Sequence, residues 1–252
     1  MATPTSAAVI GSTGLVGSHI LSTLLALETS FSPVNTITRR APKATSAHLN
    51  AIIEADTTKW ATALAGLTPT PAAVYSALGT TRAQAGGLAN QWKIDHDLNI
   101  ELAKAAKAAG ARTFVFISSG GTRSFFSSFA PYSKMKNGVE DAIRDLDFEQ
   151  AIIVKPGLIL GHREQSRLGE GQAQTVANAI GSVSSGLKDR IGQDADEIAK
   201  SAVRAVQLAG EGKAPSKYWI LEGSDIIKLG RTEWPSKEAA PDAPDATQTV
   251  VQ

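Results

Sequence analysis

The sequence predicts an α/β fold built on a doubly wound parallel sheet. Three observations carry this. Short apolar runs alternate with helical patterns through the first 155 residues, which implies parallel strands joined by right-handed crossovers. A glycine-rich turn follows the first apolar run, where the opening strand of such a sheet passes into its first helix. Finally, 252 residues suffice for one full α/β domain with a small extension and are too few for two large ones.

The elements follow in order. Ala7–Ile10 is a strand, and Leu15–Leu27 a helix with apolar residues at Val16, Ile20, Leu24 and Leu27. Val34–Thr38, Ala51–Glu54 and Ala73–Ala77 are strands, with a short helix at Thr57–Leu64 and a break at Pro69 and Pro71. Ala89–Ala109, rich in Ala, Lys, Glu and Leu, reads as one long helix ended by Gly110. Thr113–Ile117 is a buried strand, Pro131–Leu146 a helix with proline in its first turn, and Gln150–Val154 a strand stopped before Pro156. Asp194–Leu208 is a helix capped by Asp194, and Tyr218–Leu221 a final strand. Residues 1–155 thus form the nucleotide-binding core, and 156–231 a small substrate-capping region of the same domain. Residues 232–252, with three prolines among Ala, Thr and acidic residues, read as a disordered tail.

Composition excludes several classes. The net charge of +1 gives no field for nucleic acid. The absence of cysteine removes disulfides, thiolate nucleophiles and cysteine-bound zinc. The four histidines (His19, His48, His96, His162) show no metal-ligand spacing, and His96 reads as part of a solvated helix face. No metal site is expected. No apolar run reaches the roughly 20 residues of a membrane span. Met1–Leu27 lacks Lys, Arg, Asp and Glu, so it has neither a secretory signal's positive start nor a transit peptide's arginines.

The glycine turn reads Gly11-Ser-Thr-Gly14-Leu-Val-Gly17. Small residues let the backbone approach a pyrophosphate, and the helix N-terminus presents amide groups and a positive dipole end. A ligand-free strand-helix turn is the plainer alternative, but the position at the first βα junction makes this a Rossmann-type dinucleotide site. Thr13, Leu15 and Val16 join the glycines in the expected contact set. NAD-preferring sites place an acidic residue at the end of the second strand. Here Arg39 and Arg40 stand there, and a guanidinium fork suits a 2′-phosphate, so NADP(H) is the expected cofactor. Asp56 is placed to reach the adenine, and Ala77, Leu78 and Gly79 leave room for the ribose.

The fifth strand ends in Ser118-Ser119-Gly120-Gly121, and Tyr132 and Lys136 follow one helical turn apart. An ammonium beside a tyrosine stabilises its phenolate. The tyrosine can then exchange a proton with a substrate oxygen while hydride moves, and a serine hydroxyl can hold that oxygen. A Tyr-x-x-x-Lys pair alone is an ordinary helix pattern. Its order after the glycine loop and the serines is what points to chemistry. Arg123-Ser-Phe125-Phe126-Ser-Ser-Phe129 lies between Ser119 and Tyr132, and its phenylalanines are expected either to line an apolar pocket or, more simply, to pack in the interior.

These motifs, with Ser76-Ala-Leu-Gly-Thr-Thr81, Phe116–Gly120 and Lys155-Pro-Gly157, resemble the atypical, extended-type short-chain dehydrogenase/reductase family over about residues 7–165. Within it, the likeness is greatest to the fungal mitochondrial outer-membrane reductase-like proteins and the animal Tat-interacting oxidoreductase. The resemblance implies that Gly11, Gly14 and Gly17 hold the pyrophosphate and that Arg39 and Arg40 hold the 2′-phosphate. It makes Ser119, Tyr132 and Lys136 the catalytic set, and Pro156 and Gly157 the lining of the nicotinamide end. The family often has Asn early in its fourth helix; here Asp95 stands in the matching place and Asn99 one turn later.

The function so implied is reduction of a small-molecule carbonyl substrate by NADPH. The alternative is an NADPH-binding regulatory protein with a protein partner and little turnover. An epimerase or dehydratase acting on nucleotide sugars fits poorly with so short a substrate lobe. The resemblance also implies peripheral attachment to the mitochondrial outer membrane, with the cytoplasm as the alternative.

Overall fold

The computed structural model describes residues 4–161, 189 and 191–235. Seven parallel strands form one sheet: β1 (Thr5–Ile10), β2 (Phe31–Thr38), β3 (Leu49–Ile53), β4 (Ala73–Ser76), β5 (Thr113–Ile117), β6 (Gln150–Val154) and β9 (Tyr218–Leu221). Their order is β3-β2-β1-β4-β5-β6-β9. The chain winds outward from β1 to β3, then returns to the centre at β4 and winds the other way. The reversal between β1 and β4 is the topological switch point, where such sheets bind ligands beyond their carboxyl ends. A separate parallel pair, β7 (Leu158–Leu160) and β8 (Gly192–Asp194), lies past the end of β6.

The central strands β1, β4, β5 and β6 are buried on both faces, and their side chains alternate between two cores. Ala7, Val9, Val115, Ile117, Ile152 and Val154 join α1 (Leu15–Ala26) and a late helix, Ala195–Gly210, on one face. Ala8, Ile10, Phe114, Phe116, Ala151 and Ile153 meet α2 (Trp60–Ala65), α5 (Asn99–Ala108) and α6 (Pro131–Asp145) on the other. Helices on both faces complete the doubly wound sandwich. The late helix, α7, starts at Asp194 with a reciprocal capping box to Glu197. A short α8 (Gly223–Ile227) and a wide turn at Lys228–Thr232 pack against it.

Two expectations need correction. The expected long helix at 89–109 is broken: short helices α3 (Arg82–Ala85) and α4 (Leu88–Trp92) precede a π-helical turn at Lys93–Leu98, and α5 begins only at Asn99. Two inward-facing polar side chains accompany the break. Asp95 accepts the Thr80 N–H at 2.7 Å, and Asn99 accepts the Ser76 hydroxyl at 2.6 Å. The tail also begins later than expected. Trp234 packs on the first core, and Lys200 Nζ lies 5.9 Å from its ring centroid, so the folded body runs to Trp234. The rest of the tail, residues 236–252, lies outside the described residues, as does His162. Among the described residues no helix is long and apolar enough to cross a membrane, and no cluster of His, Cys, Asp and Glu could hold a metal.

Candidate functional site

The site is built at the carboxyl edge of the sheet. After β1 the backbone turns at Gly11, whose φ of 83° lies in the left-handed region that glycine adopts freely. A Cβ there would stand 2.7 Å from the Ala77 carbonyl oxygen at the end of β4. Gly11 thus lets the ends of the two switch-point strands close on each other. Gly17 lies directly over the Gly11 carbonyl, leaving no space for a methyl group. Gly14 is different: a Cβ there meets only the Gly11 oxygen, at 3.2 Å. Ser12 is held inside by the Thr36 hydroxyl at 2.6 Å, so the turn is fixed to β2.

Helix α1 begins at Gly14 with no side-chain cap and no acidic residue in its first turn. Its leading amides and positive dipole end are left for an anion, with Thr13 and Gly14 exposed beside them. This arrangement fits a pyrophosphate. Arg39 and Arg40 follow β2, are exposed, and pair with no acidic group among the described residues. Asp56 follows β3, and its carboxylate accepts the N–H (3.0 Å) and hydroxyl (2.7 Å) of Thr58. Those bonds hold its pKa below the usual carboxylate value and give the side chain a local capping role. Ala77, Leu78 and Gly79 follow β4, and Asp95, through Thr80, holds the end of that loop.

Across the switch point, Ser118 and Ser119 diverge. Ser118 is buried and donates to Glu140 at 2.5 Å. Ser119 is partly exposed, and its hydroxyl has no partner among the described residues. Tyr132, in the first turn of α6, is 43% exposed, and its hydroxyl too has no described partner. Lys136 is buried, donates to the Ile117 carbonyl at 3.0 Å and lies 4.6 Å from the Phe116 ring centroid. Tyr132 and Lys136 thus sit on successive turns of one helix face without bonding each other. The Pro156 carbonyl accepts the Gly120 N–H at 2.7 Å, continuing the β5–β6 pairing past the strand ends. Gly157 donates to Gln193 Oε1 at 2.8 Å, and a Cβ there would stand 2.5 Å from the Ile191 oxygen.

The phenylalanines depart from expectation. Phe125, Phe126 and Phe129 are 78%, 93% and 71% exposed, with edge-to-face contacts among themselves, so they are not interior packing. His96 also departs: its ring lies against Gly138 of α6 and 4.8 Å from the Trp92 ring, a helix contact instead of a solvated face. Sequence reasoning missed Glu140, Arg123, Lys155 in its pairing role, and Gln193. Glu140 stands four residues after Lys136, a spacing that puts it on the same helix face but does not announce its burial.

The sequence matches the NAD(P)H-binding family over residues 11–185. It is 60% identical over 227 residues to the mitochondrial protein FMP52 of Chaetomium globosum, covering 90% of this chain and 97% of that one. It is 58% identical over 236 residues to the mitochondrial fmp-52 of Neurospora crassa, covering 92% and 98%. Among solved structures, it resembles the UDP-Glc/GlcNAc 4-epimerase of Campylobacter jejuni with a TM-score of 0.64 at 14% identity, covering 89% of this chain and 82% of that one. A short chain dehydrogenase family protein of Francisella tularensis gives a TM-score of 0.61 at 14% identity, covering 89% and 99%. At such identities these two likenesses speak for the fold. The family match over residues 11–185 and the fungal relatives lead to one conclusion: the chain belongs to the NAD(P)H-binding family and is a relative of the fungal mitochondrial FMP52 proteins.

Proposed function

We propose that the protein is an NADPH-dependent oxidoreductase that reduces a carbonyl compound to an alcohol. The observation that carries this reading is the pair of hydroxyls, on Ser119 and Tyr132, left without described partners at the sheet edge that also holds the glycine turn. Ser119 donates a hydrogen bond to the carbonyl oxygen and orients it. Tyr132 hands its proton to that oxygen, and NADPH, which the glycine turn with Arg39 and Arg40 would hold, would supply the hydride. Lys136, buried with one described hydrogen bond, keeps two N–H donors for a phenolate and a ribose hydroxyl. Arg39 and Arg40 favour the 2′-phosphate of NADPH. Asp56, already fixed by Thr58, borders the adenine end, and Pro156 and Gly157 border the nicotinamide end.

The test is titration with NADPH and NADH followed by a panel of aldehydes and ketones. Tight NADPH binding, with turnover lost in Tyr132→Phe, is expected. Turnover undiminished in that variant would sink the mechanism. The mitochondrial names of the relatives support a mitochondrial location for this chain; peripheral attachment to the outer membrane is the finer part of the proposal. Fractionation with alkaline carbonate extraction tests it.

The second reading, a dinucleotide-dependent regulatory protein, is favoured by the exposed Phe125–Phe126–Phe129 cluster, which suits a partner surface. It requires NADPH binding without turnover across the panel.

A further inference from the structure

One carboxylate outside the proposed proton transfer gathers the walls of the site. Glu140 follows Lys136 by four residues and Tyr132 by eight on α6, so the three share a helix face. It is 1% exposed. Its Oε1 accepts the Ser118 hydroxyl at 2.5 Å and lies 2.9 Å from Lys155 Nζ. Its Oε2 accepts Lys155 Nζ at 3.0 Å and Arg123 Nε at 3.1 Å. Lys155 is itself 6% exposed. Burying this pair costs desolvation that is offset only when the lone pairs are filled, and here both oxygens are engaged.

The donors come from three different segments, and each is next to a residue of the site. Ser118 directly follows β5 and precedes Ser119. Lys155 directly follows β6 and precedes Pro156 and Gly157. Arg123 lies in the loop that leads to Tyr132, and a second bond to Asp141 at 2.7 Å fixes its orientation. Partial burial opposes the Arg123 charge, but the bonds to Asp141 and Glu140 outweigh it and raise its pKa further. The backbone bond from Gly120 to Pro156 couples the two walls, so a shift in one is passed to the other. The arrangement governs relative position, beyond what burial alone requires.

We propose that Glu140 is a positioning residue that fixes the Ser119 and Pro156–Gly157 walls against Tyr132 and Lys136, and so shapes the seat of the nicotinamide end. This rests on the dinucleotide-reductase reading above. Adenosine 2′,5′-bisphosphate spans only the end bordered by Arg39 and Arg40, so comparing it with NADPH isolates the nicotinamide end.

The experiment measures both affinities and the melting temperature on the full chain. Glu140→Gln keeps the side chain's shape and removes the charge that Lys155 and Arg123 share. Its NADPH affinity should fall roughly tenfold, the scale on which supporting partners of binding groups act, while adenosine 2′,5′-bisphosphate binding stays within about twofold. A purely structural role would lower the melting temperature and leave the ratio of the two affinities unmoved, which overturns the proposal. If Glu140→Gln does not fold, Arg123→Ala cuts one donor from a half-exposed side and should shift the same ratio by roughly threefold; an unmoved ratio is again fatal. A wild-type chain that binds neither ligand removes the reductase reading and this inference together, whereas NADPH binding by wild type with an unmoved ratio in the variants removes this inference alone.

Discussion

Gly17 packs onto the carbonyl oxygen of Gly11, so the first turn of α1 and the turn that precedes it occupy the same small space. A methyl group at position 17 overlaps backbone that is also confined by Ala77, and neither side can yield cheaply. Gly17→Ala should therefore cost about 1–3 kcal/mol and abolish NADPH binding. Gly14→Ala meets one oxygen at 3.2 Å and should cost well under half as much. Thermal melts with NADPH titrations check both, and equal losses in the two variants would contradict the geometry.

Arg39 and Arg40 lie exposed past β2. Replacing each with alanine should weaken NADPH roughly tenfold and leave NADH unchanged, because only NADPH carries the 2′-phosphate. Parallel titrations with the two nucleotides read this directly. A parallel loss for both would assign the arginines to the pyrophosphate or to the fold.

The neighbouring serines should separate stability from chemistry. Ser118→Ala removes a hydrogen bond to a buried carboxylate and should cost about 1.5–3 kcal/mol in urea unfolding. Ser119→Ala removes no described bond and should change stability by less than about 0.5 kcal/mol, while lowering turnover at least about tenfold.

Tyr75 is fully buried in the sheet, and its hydroxyl has no partner among the described residues. Tyr75→Phe should stabilise the fold by about 1 kcal/mol at neutral pH, because an unpaired buried donor is removed. Burial raises the Tyr75 pKa strongly. A group whose pKa is higher in the folded state contributes fully below its unfolded value and loses that contribution as pH rises. Wild type should therefore lose stability relative to the variant above pH ~10, by up to roughly 1.4 kcal/mol per pH unit. Denaturant unfolding at pH 7 and above pH 10 tests the sign, and a constant difference would refute it.

The sheet was legible where its signal is local. β5 and β6 have the bounds their apolar runs announce, because a strand buried on both faces leaves a continuous hydrophobic record. The helix at 89–109 was misread because Ala, Lys and Glu favour helix throughout. The π turn is accompanied by tertiary bonds from the Thr80 amide to Asp95 and from Ser76 to Asn99, which a propensity sum does not contain. The three-residue strands β7 and β8 are too short to show a period. The glycine loop and the Ser-Tyr-Lys order could be read from spacing alone. Glu140 could not, since glutamate on a helix ordinarily means solvent, and its burial depends on Lys155 and Arg123 arriving from other segments.

The place of β9 bears on how the molecule is made. β6 leads directly into Lys155, Pro156 and Gly157, yet its outer neighbour is synthesised last, at Tyr218–Leu221. Until those residues leave the ribosome, β6 is an open edge with unpaired amides and carbonyls, the kind of surface on which nascent chains join one another. The glycine turn, whose partners β2 and β4 precede β9 in the chain, is complete long before. A chain stopped short of Tyr218 would thus carry a finished pyrophosphate cradle beside an unfinished and aggregation-prone wall.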